Sequence, residues 1–72
     1  MESITQSQYN SLLNKQIPSS LDAHIVSDIQ YVKTILLTQE SNNYYLEYVE
    51  LNELHQEEIS EISQRGHLVT IS

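Results

Sequence analysis

Two apolar segments joined by a short polar turn constrain the fold of this chain more than any other feature. Residues 29–38 read IQYVKTILLT, residues 44–51 read YYLEYVEL, and the QESNN between them is rich in residues that favour turns. Both segments are rich in β-branched or aromatic residues, which favour strands. The sequence therefore predicts an antiparallel hairpin with strands at 29–38 and 44–51.

A helical interpretation of the same region stays open. Large apolar residues also recur at helical spacing across it: Leu21, Ile25, Ile29, Val32 and Leu36. Residues 19–28 are ambiguous, because serine and aspartate there are able to cap a short turn of helix. The segment 44–51 would then continue into a helix of 44–65, and the chain would be mostly helical.

The N-terminal region predicts a helix at 6–16. Thr5 is placed as an N-cap, and Gln8 stands three residues later, where a capping box requires it. Ile4 and Tyr9 have the spacing of a hydrophobic staple. Pro18 ends the helix, since the residue before a proline is disfavoured in the α region.

A second helix and a last strand are expected after the hairpin. Asn52 is a suitable N-cap for a helix of 53–65. Gly66 stands where a left-handed C-terminal residue is commonly found. The final HLVTIS, residues 67–72, is typical of a strand.

These elements predict a small α+β domain with the order α-β-β-α-β. The strand 29–38 would lie in the centre of a three-stranded, mainly antiparallel sheet. The helix 53–65 would carry the chain across the sheet, so that 67–72 lies on the far side of the central strand and parallel to 44–51. Both helices would cover one face of the sheet, which makes a two-layer, single-domain protein spanning 1–72.

Composition limits both stability and partners. A chain of 72 residues buries only about 60% of the surface its unfolded form exposes, and without cysteine it has no disulfide to supplement that core. The net charge of −7 repels phosphate backbones and anionic lipid. We expect a cytoplasmic protein without a membrane segment that binds a protein partner, itself or both, and no nucleic acid.

The hairpin carries more apolar surface than two short helices are able to cover. As strands, both 29–38 and 44–51 place apolar residues on both faces. Exposed apolar surface marks association sites, where tyrosine is enriched. The predicted partner-binding residues are Tyr31, Tyr44, Leu46 and Tyr48. The alternative is that these tyrosines fill an ordinary small core.

Acidic residues form a predicted row made of Glu47, Glu50, Glu53, Glu57 and Glu61. The simpler interpretation is a hydrated face that keeps the protein in solution. The functional interpretation is a surface that docks on a basic groove, as a nucleic-acid mimic does.

The sequence predicts no catalytic, cofactor-binding or metal-binding residues. The three histidines, His24, His55 and His67, lack ligand spacing, although His24 with Asp28 and His55 with Glu58 are local His–carboxylate pairs. The single glycine, Gly66, does not make a phosphate-binding loop.

Two functions follow as hypotheses. The first is a non-enzymatic interaction module or small regulatory subunit, expected to self-associate as a homodimer through the tyrosine-bearing sheet face. The second is an acidic inhibitor, of the kind found in phages and mobile elements, that blocks a basic nucleic-acid-binding protein. Association that survives high salt would favour the first, and binding that weakens steeply with salt would favour the second.

Overall fold

The computed structural model describes all 72 residues as a four-stranded antiparallel sheet with three α-helices. The elements in chain order are β1 (Glu2–Ile4), α1 (Gln6–Leu13), α2 (Ala23–Val32), β2 (Thr34–Glu40), β3 (Asn43–Tyr48), α3 (Gln56–Arg65) and β4 (His67–Thr70), with a 3₁₀ turn at Leu51–Glu53. The predicted α+β class is confirmed. The predicted count of three strands and two helices is wrong. Strand β1 was not predicted, and α2 was expected only in the alternative helical interpretation of residues 21–36. None of the helices is both long enough and apolar enough to span a bilayer.

The start of α1 is the one predicted from its cap. The Gln8 backbone N–H donates to Thr5 Oγ1 at 3.1 Å, and the Thr5 N–H donates to Gln8 Oε1 at 2.9 Å. The helix ends at Leu13 rather than at residue 16. Lys15 adopts a left-handed φ of 61°, and a right-handed helix cannot continue through a residue in that conformation.

The prediction of a strand from residue 29 is wrong up to residue 32. Helix α2 occupies that stretch, and the Asp22 carboxylate caps it by accepting from the His24 backbone N–H at 3.2 Å. Its β-branched residues have modest helix propensity, but Ile25 and Ile29 are buried, and tertiary packing overrides propensity. Lys33, with φ of 69°, ends the helix and turns the chain into β2.

The hairpin of β2 and β3 is confirmed. Leu37 lies opposite Leu46 and Ile35 lies opposite Tyr48, with Ser41 at a left-handed φ of 57° in the turn. Strand β3 ends at Tyr48, earlier than the predicted residue 51, because the chain then enters the 3₁₀ turn.

Helix α3 begins later than predicted. Asn52 lies within the 3₁₀ turn, and the N-cap is His55, whose backbone N–H donates to Glu58 Oε1 at 3.0 Å. Gly66 follows the helix with φ of 178°, which is extended and not the predicted left-handed conformation. The glycine is needed for space: a Cβ there would strike the Leu37 carbonyl and lie 2.8 Å from Thr38 Cγ2.

The sheet order is β1-β3-β2-β4. Strand β2 is flanked by β3 and β4 and is antiparallel to both, so β4 runs parallel to β3. This placement of the last strand is as predicted. The addition is β1, which pairs with the outer side of β3 and puts Ile4 opposite Tyr44.

One main core lies between the sheet and the first two helices. It contains eleven buried residues: Ile4, Tyr9, Leu12, Leu21, Ile25, Ile29, Ile35, Leu37, Leu46, Val69 and Ile71. Helices α1 and α2 both contribute to it, whereas α3 contributes no residue.

Helix α3 covers the opposite face, so the predicted two-layer arrangement with both helices on one face is wrong. Leu36 and Val49 are buried but lie outside the main core. Leu36 and Glu47 are neighbours across β2 and β3 on that second face. Arg65, at the end of α3, reaches Glu47 there, with Nη2 at 3.2 Å from Oε1. The fold therefore has three layers.

Candidate interaction surfaces

Three of the predicted interface residues share a face of β3, but a helical layer covers that face. Leu46 has no exposed surface, and Tyr44 and Tyr48 pack against the main core. The Tyr44 ring lies 5.0 Å from the Tyr9 ring of α1 between centroids, with the planes tilted by 56°. The premise of an uncovered apolar sheet face is therefore wrong, because α1 and α2 together supply enough apolar surface to cover it.

Tyr48 has an unusual environment at the edge of this core. Its hydroxyl oxygen is buried and makes no well-formed hydrogen bond, although the Asp28 carboxylate lies near enough to interact with it. Burial, with the nearby negative charges of Asp28 and Glu2, raises the pKa of Tyr48 to about 12. The hydroxyl is thus held neutral, and its desolvation opposes folding.

Tyr31 is the one predicted interface residue that faces water. It lies on α2 rather than on a strand, and its side chain is 81% exposed. Met1 is the only other large apolar side chain that is exposed. Whether these four residues contact a partner stays a prediction, and the structure gives Tyr31 a surface separate from the other three.

Tyr31 borders a groove of about 470 Å³ between the end of α2 and the segment that follows β3. Lys33 and Leu51 line its sides, and the buried Thr34 lies at its base. The two walls are held together because the Val49 backbone N–H donates to the Thr34 carbonyl at 3.0 Å. Sequence patterns did not predict Lys33 or Leu51 as site residues. They lie far apart in the chain, and the pairing of β2 with β3 brings them to the same groove.

The predicted acidic row is divided among three elements. Glu47, on β3, is half-buried and paired with Arg65. The other four carboxylates are exposed and make no ion pair: Glu50 and Glu53 around the 3₁₀ turn, and Glu57 and Glu61 one turn apart on α3. Glu58 is used in the cap of α3. The exposed part of the row is thus confined to residues 50–61, which contain no Lys or Arg.

His24 forms a small cluster of charged groups at the start of α2. Its Nδ1 lies 2.7 Å from Asp22 Oδ1 and its Nε2 lies 3.4 Å from Glu2 Oε2. The hydrogen bond with Asp22, and then that with Glu2, raises the pKa of His24, and the same bond with His24 lowers the pKa of Asp22. The carboxylates that contact His24 are Asp22 and Glu2, and no ion pair joins it to Asp28, the local carboxylate noted in the sequence.

No set of three His, Cys, Asp or Glu side chains converges in an arrangement able to hold a metal ion. His55 contacts Glu58 through its backbone N–H. The cluster around His24 acts within the fold: it joins β1, through Glu2, to the first turn of α2.

Searches against protein-family models, curated proteins and solved structures give no match to this chain.

Proposed function

We propose that this protein is a non-enzymatic protein–protein interaction module or small regulatory subunit, and that Tyr31 is its principal contact. The observation that carries the proposal is the 81% exposure of Tyr31 beside the groove. Tyrosine is enriched at interfaces because its ring buries a large area while its hydroxyl remains hydrated. Tyrosine is also one of the residue types enriched among the few side chains that carry most of the binding energy of an interface.

The groove suits a protein partner better than a small molecule. It is open and of mixed polarity, with Lys33 and Glu50 of opposite charge beside Leu51. Small-molecule sites are mostly apolar and enclose most of the ligand. A mixed rim around an aromatic anchor is the usual composition of a transient protein interface.

Site-specific cross-linking in the native host tests this proposal. A photoreactive phenylalanine analogue replaces Tyr31, and a matched control replaces Gln30, which is exposed on the same helix. We expect a discrete cross-linked product from position 31 and none from position 30. Equal products from both positions, or none from position 31, would contradict the proposal. The mass of the product separates a different partner from a second 8.3 kDa copy.

A second candidate is an acidic inhibitor of a basic nucleic-acid-binding protein. It is favoured by the four exposed, unpaired carboxylates in residues 50–61. Such a surface would accelerate encounter with a basic partner and give strongly salt-dependent binding.

Charge removal distinguishes the second candidate from the first. Glu57→Gln with Glu61→Gln should weaken capture of a basic partner, whereas Glu40→Gln, which changes an exposed carboxylate at the end of β2, should not. Binding should also fall steeply between about 50 and 200 mM salt. Binding that is unaffected by the double substitution and by salt would rule out the inhibitor and leave the interaction module.

A further inference from the structure

Strand β4 forms one edge of the sheet and leaves backbone groups unpaired. The Ile71 N–H donates to the Lys33 carbonyl at 2.7 Å, so alternate residues of this segment point their backbone groups toward β2. With the observed register, those residues are Val69 and His67. The N–H and C=O groups of Leu68 and Thr70 therefore point away from the sheet, and no turn, loop or cap bonds to them.

This edge lacks the charged residues that usually protect an exposed strand. Residues 67–72, HLVTIS, contain no Asp, Glu, Lys, Arg or Pro. Natural sheets protect edges with charges, proline, bulges or very short strands. The opposite edge, β1, has three residues and carries Glu2, whereas β4 has four residues and no charged side chain of Asp, Glu, Lys or Arg. The extended backbone at Gly66, before His67, lengthens the free edge of β4.

We propose that the β4 edge binds a second copy of this chain, in antiparallel pairing about a twofold axis at Val69. Leu68 of each copy then faces Thr70 of the other, and each such pair exchanges two backbone hydrogen bonds. The two sheets join into one continuous sheet. This inference rests on the proposed function, because it names the surface through which an interaction module would self-associate.

Charge selects this edge for contact between identical chains. Each copy carries a net charge of −7, so two copies repel each other and approach only through an uncharged strip. Residues 67–72 supply such a strip, and the antiparallel arrangement is complementary to itself. Helix α3, which packs beside β4, carries Glu57, Glu58 and Glu61 near this edge and is a source of the repulsion. Salt screens the repulsion, so association should strengthen with salt, opposite to the behaviour of an acidic surface on a basic partner.

Thr70→Pro and Thr70→Val test the pairing as a matched pair. Both remove the hydroxyl that contacts Thr34 Oγ1 at 3.1 Å, but only proline also removes the outward N–H. In sedimentation from about 10 to 500 µM protein, wild type and Thr70→Val should dimerise increasingly with concentration and salt, and Thr70→Pro should remain a monomer. Circular dichroism checks that each variant is folded.

Amide exchange gives a reading that needs no variant. As the wild type dimerises, the Leu68 and Thr70 amides should become protected, whereas the Val69 amide is protected at every concentration. A monomer at all concentrations, a dimeric Thr70→Pro, or fast exchange of Leu68 and Thr70 within a dimer each overturns the proposal. Protection of these amides that appears only after a partner strand of different sequence is added also overturns it. The Tyr31 cross-link is independent, so a failed dimer leaves the partner-binding proposal standing.

Discussion

Gly66 lies directly against the Leu37 carbonyl of β2, at the point where α3 gives way to β4. The close approach lets the chain leave one face of the sheet and enter its edge within a single residue. A side chain larger than hydrogen has no room there.

Gly66→Ala should therefore destabilise the fold, although the φ of 178° is accessible to alanine. The added methyl group strikes backbone rather than a movable side chain, and overpacking of this kind costs about 1–3 kcal/mol. Urea denaturation measures the change. Gln64→Ala, at an exposed position of α3, is the control and should stay within about 0.5 kcal/mol of wild type. Equal stability of the two variants would mean that the backbone yields at no cost.

Thr5→Ala should reduce stability by about 0.5–2 kcal/mol, because it removes one half of the capping box. The lost contact is the bond from the Gln8 N–H to Thr5 Oγ1. Ser7→Ala, an exposed change within α1, is the control and should have little effect. Thermal unfolding compares them, and an unchanged melting temperature for Thr5→Ala would show that the cap contributes nothing.

Tyr48→Phe should increase stability by about 1 kcal/mol, since it removes a buried hydroxyl that makes no well-formed hydrogen bond. Tyr48→Ser should instead destabilise the fold at every protein concentration, because it empties part of the core. Tyr44→Phe is the control: its hydroxyl accepts from Gln39 Nε2 at 3.4 Å in an exposed position, so the change should be small. Denaturant titration tests all three, and a destabilised Tyr48→Phe would reveal a hidden partner for the hydroxyl.

Tyr48 also sets an alkaline limit to stability. Its folded pKa of about 12 lies above the ordinary value of 10.0, so folding favours the protonated form. That contribution is complete below pH 10 and is lost as the pH rises toward 12. Unfolding free energy measured across this range should fall less steeply for Tyr48→Phe than for wild type. Identical slopes would show that Tyr48 titrates normally.

The His24 cluster predicts an ordered set of titrations. Asp22→Asn should lower the pKa of His24 toward its ordinary value, and Glu2→Gln should lower it less, in keeping with the order of the two contacts. The raised pKa of His24 stabilises the fold below about pH 6.5, and that contribution is lost as the pH rises through the folded value. The lowered pKa of Asp22 acts in the opposite sense: its contribution is present above the ordinary value of 3.8 and is lost as the pH falls below it.

The imidazole proton resonances of His24, followed by NMR through a pH titration, report these values directly. Lys33→Gln, at a distant position after α2, is the control and should leave the titration unchanged. A larger effect of Glu2→Gln than of Asp22→Asn would contradict the observed geometry.

Local signals in the sequence were sufficient for the start of α1 and for the hairpin turn, but not for the end of α1 or the start of β2. Thr5 and Gln8 form a cap within four residues, and the QESNN turn brings β2 and β3 together without help from distant residues. Residues 29–32 of α2 were misassigned to a strand, because β-branched residues favour strands. Burial of Ile25 and Ile29 in the main core stabilises the helix there instead. Strand β1 has three residues and pairs only with β3, which is distant in the chain, so no local sequence pattern predicts it.

The candidate surfaces depended on that missing helix. Tyr31 was expected beside Tyr44 and Tyr48 on a strand face, and α2 instead carries it to the outside while covering the other two. The free edge of β4 had a signal in the sequence, the uncharged HLVTIS, but its meaning required the sheet order. Whether a strand lies at an edge can be decided only once the order of all strands in the sheet is known.

The pairing of β1 with β3 joins residues that are far apart in the chain, since Glu2 lies opposite Leu46. Closing so long a loop before any contact forms is slow, whereas the neighbouring β2–β3 hairpin closes locally. We therefore expect β1 to dock after the hairpin during folding and, with only three residues, to detach before the rest of the sheet. Hydrogen exchange should show the Glu2 and Ile4 amides opening at lower free energy than those of β2. Ile4, buried beside Tyr44, then decides how often that edge of the native sheet is open.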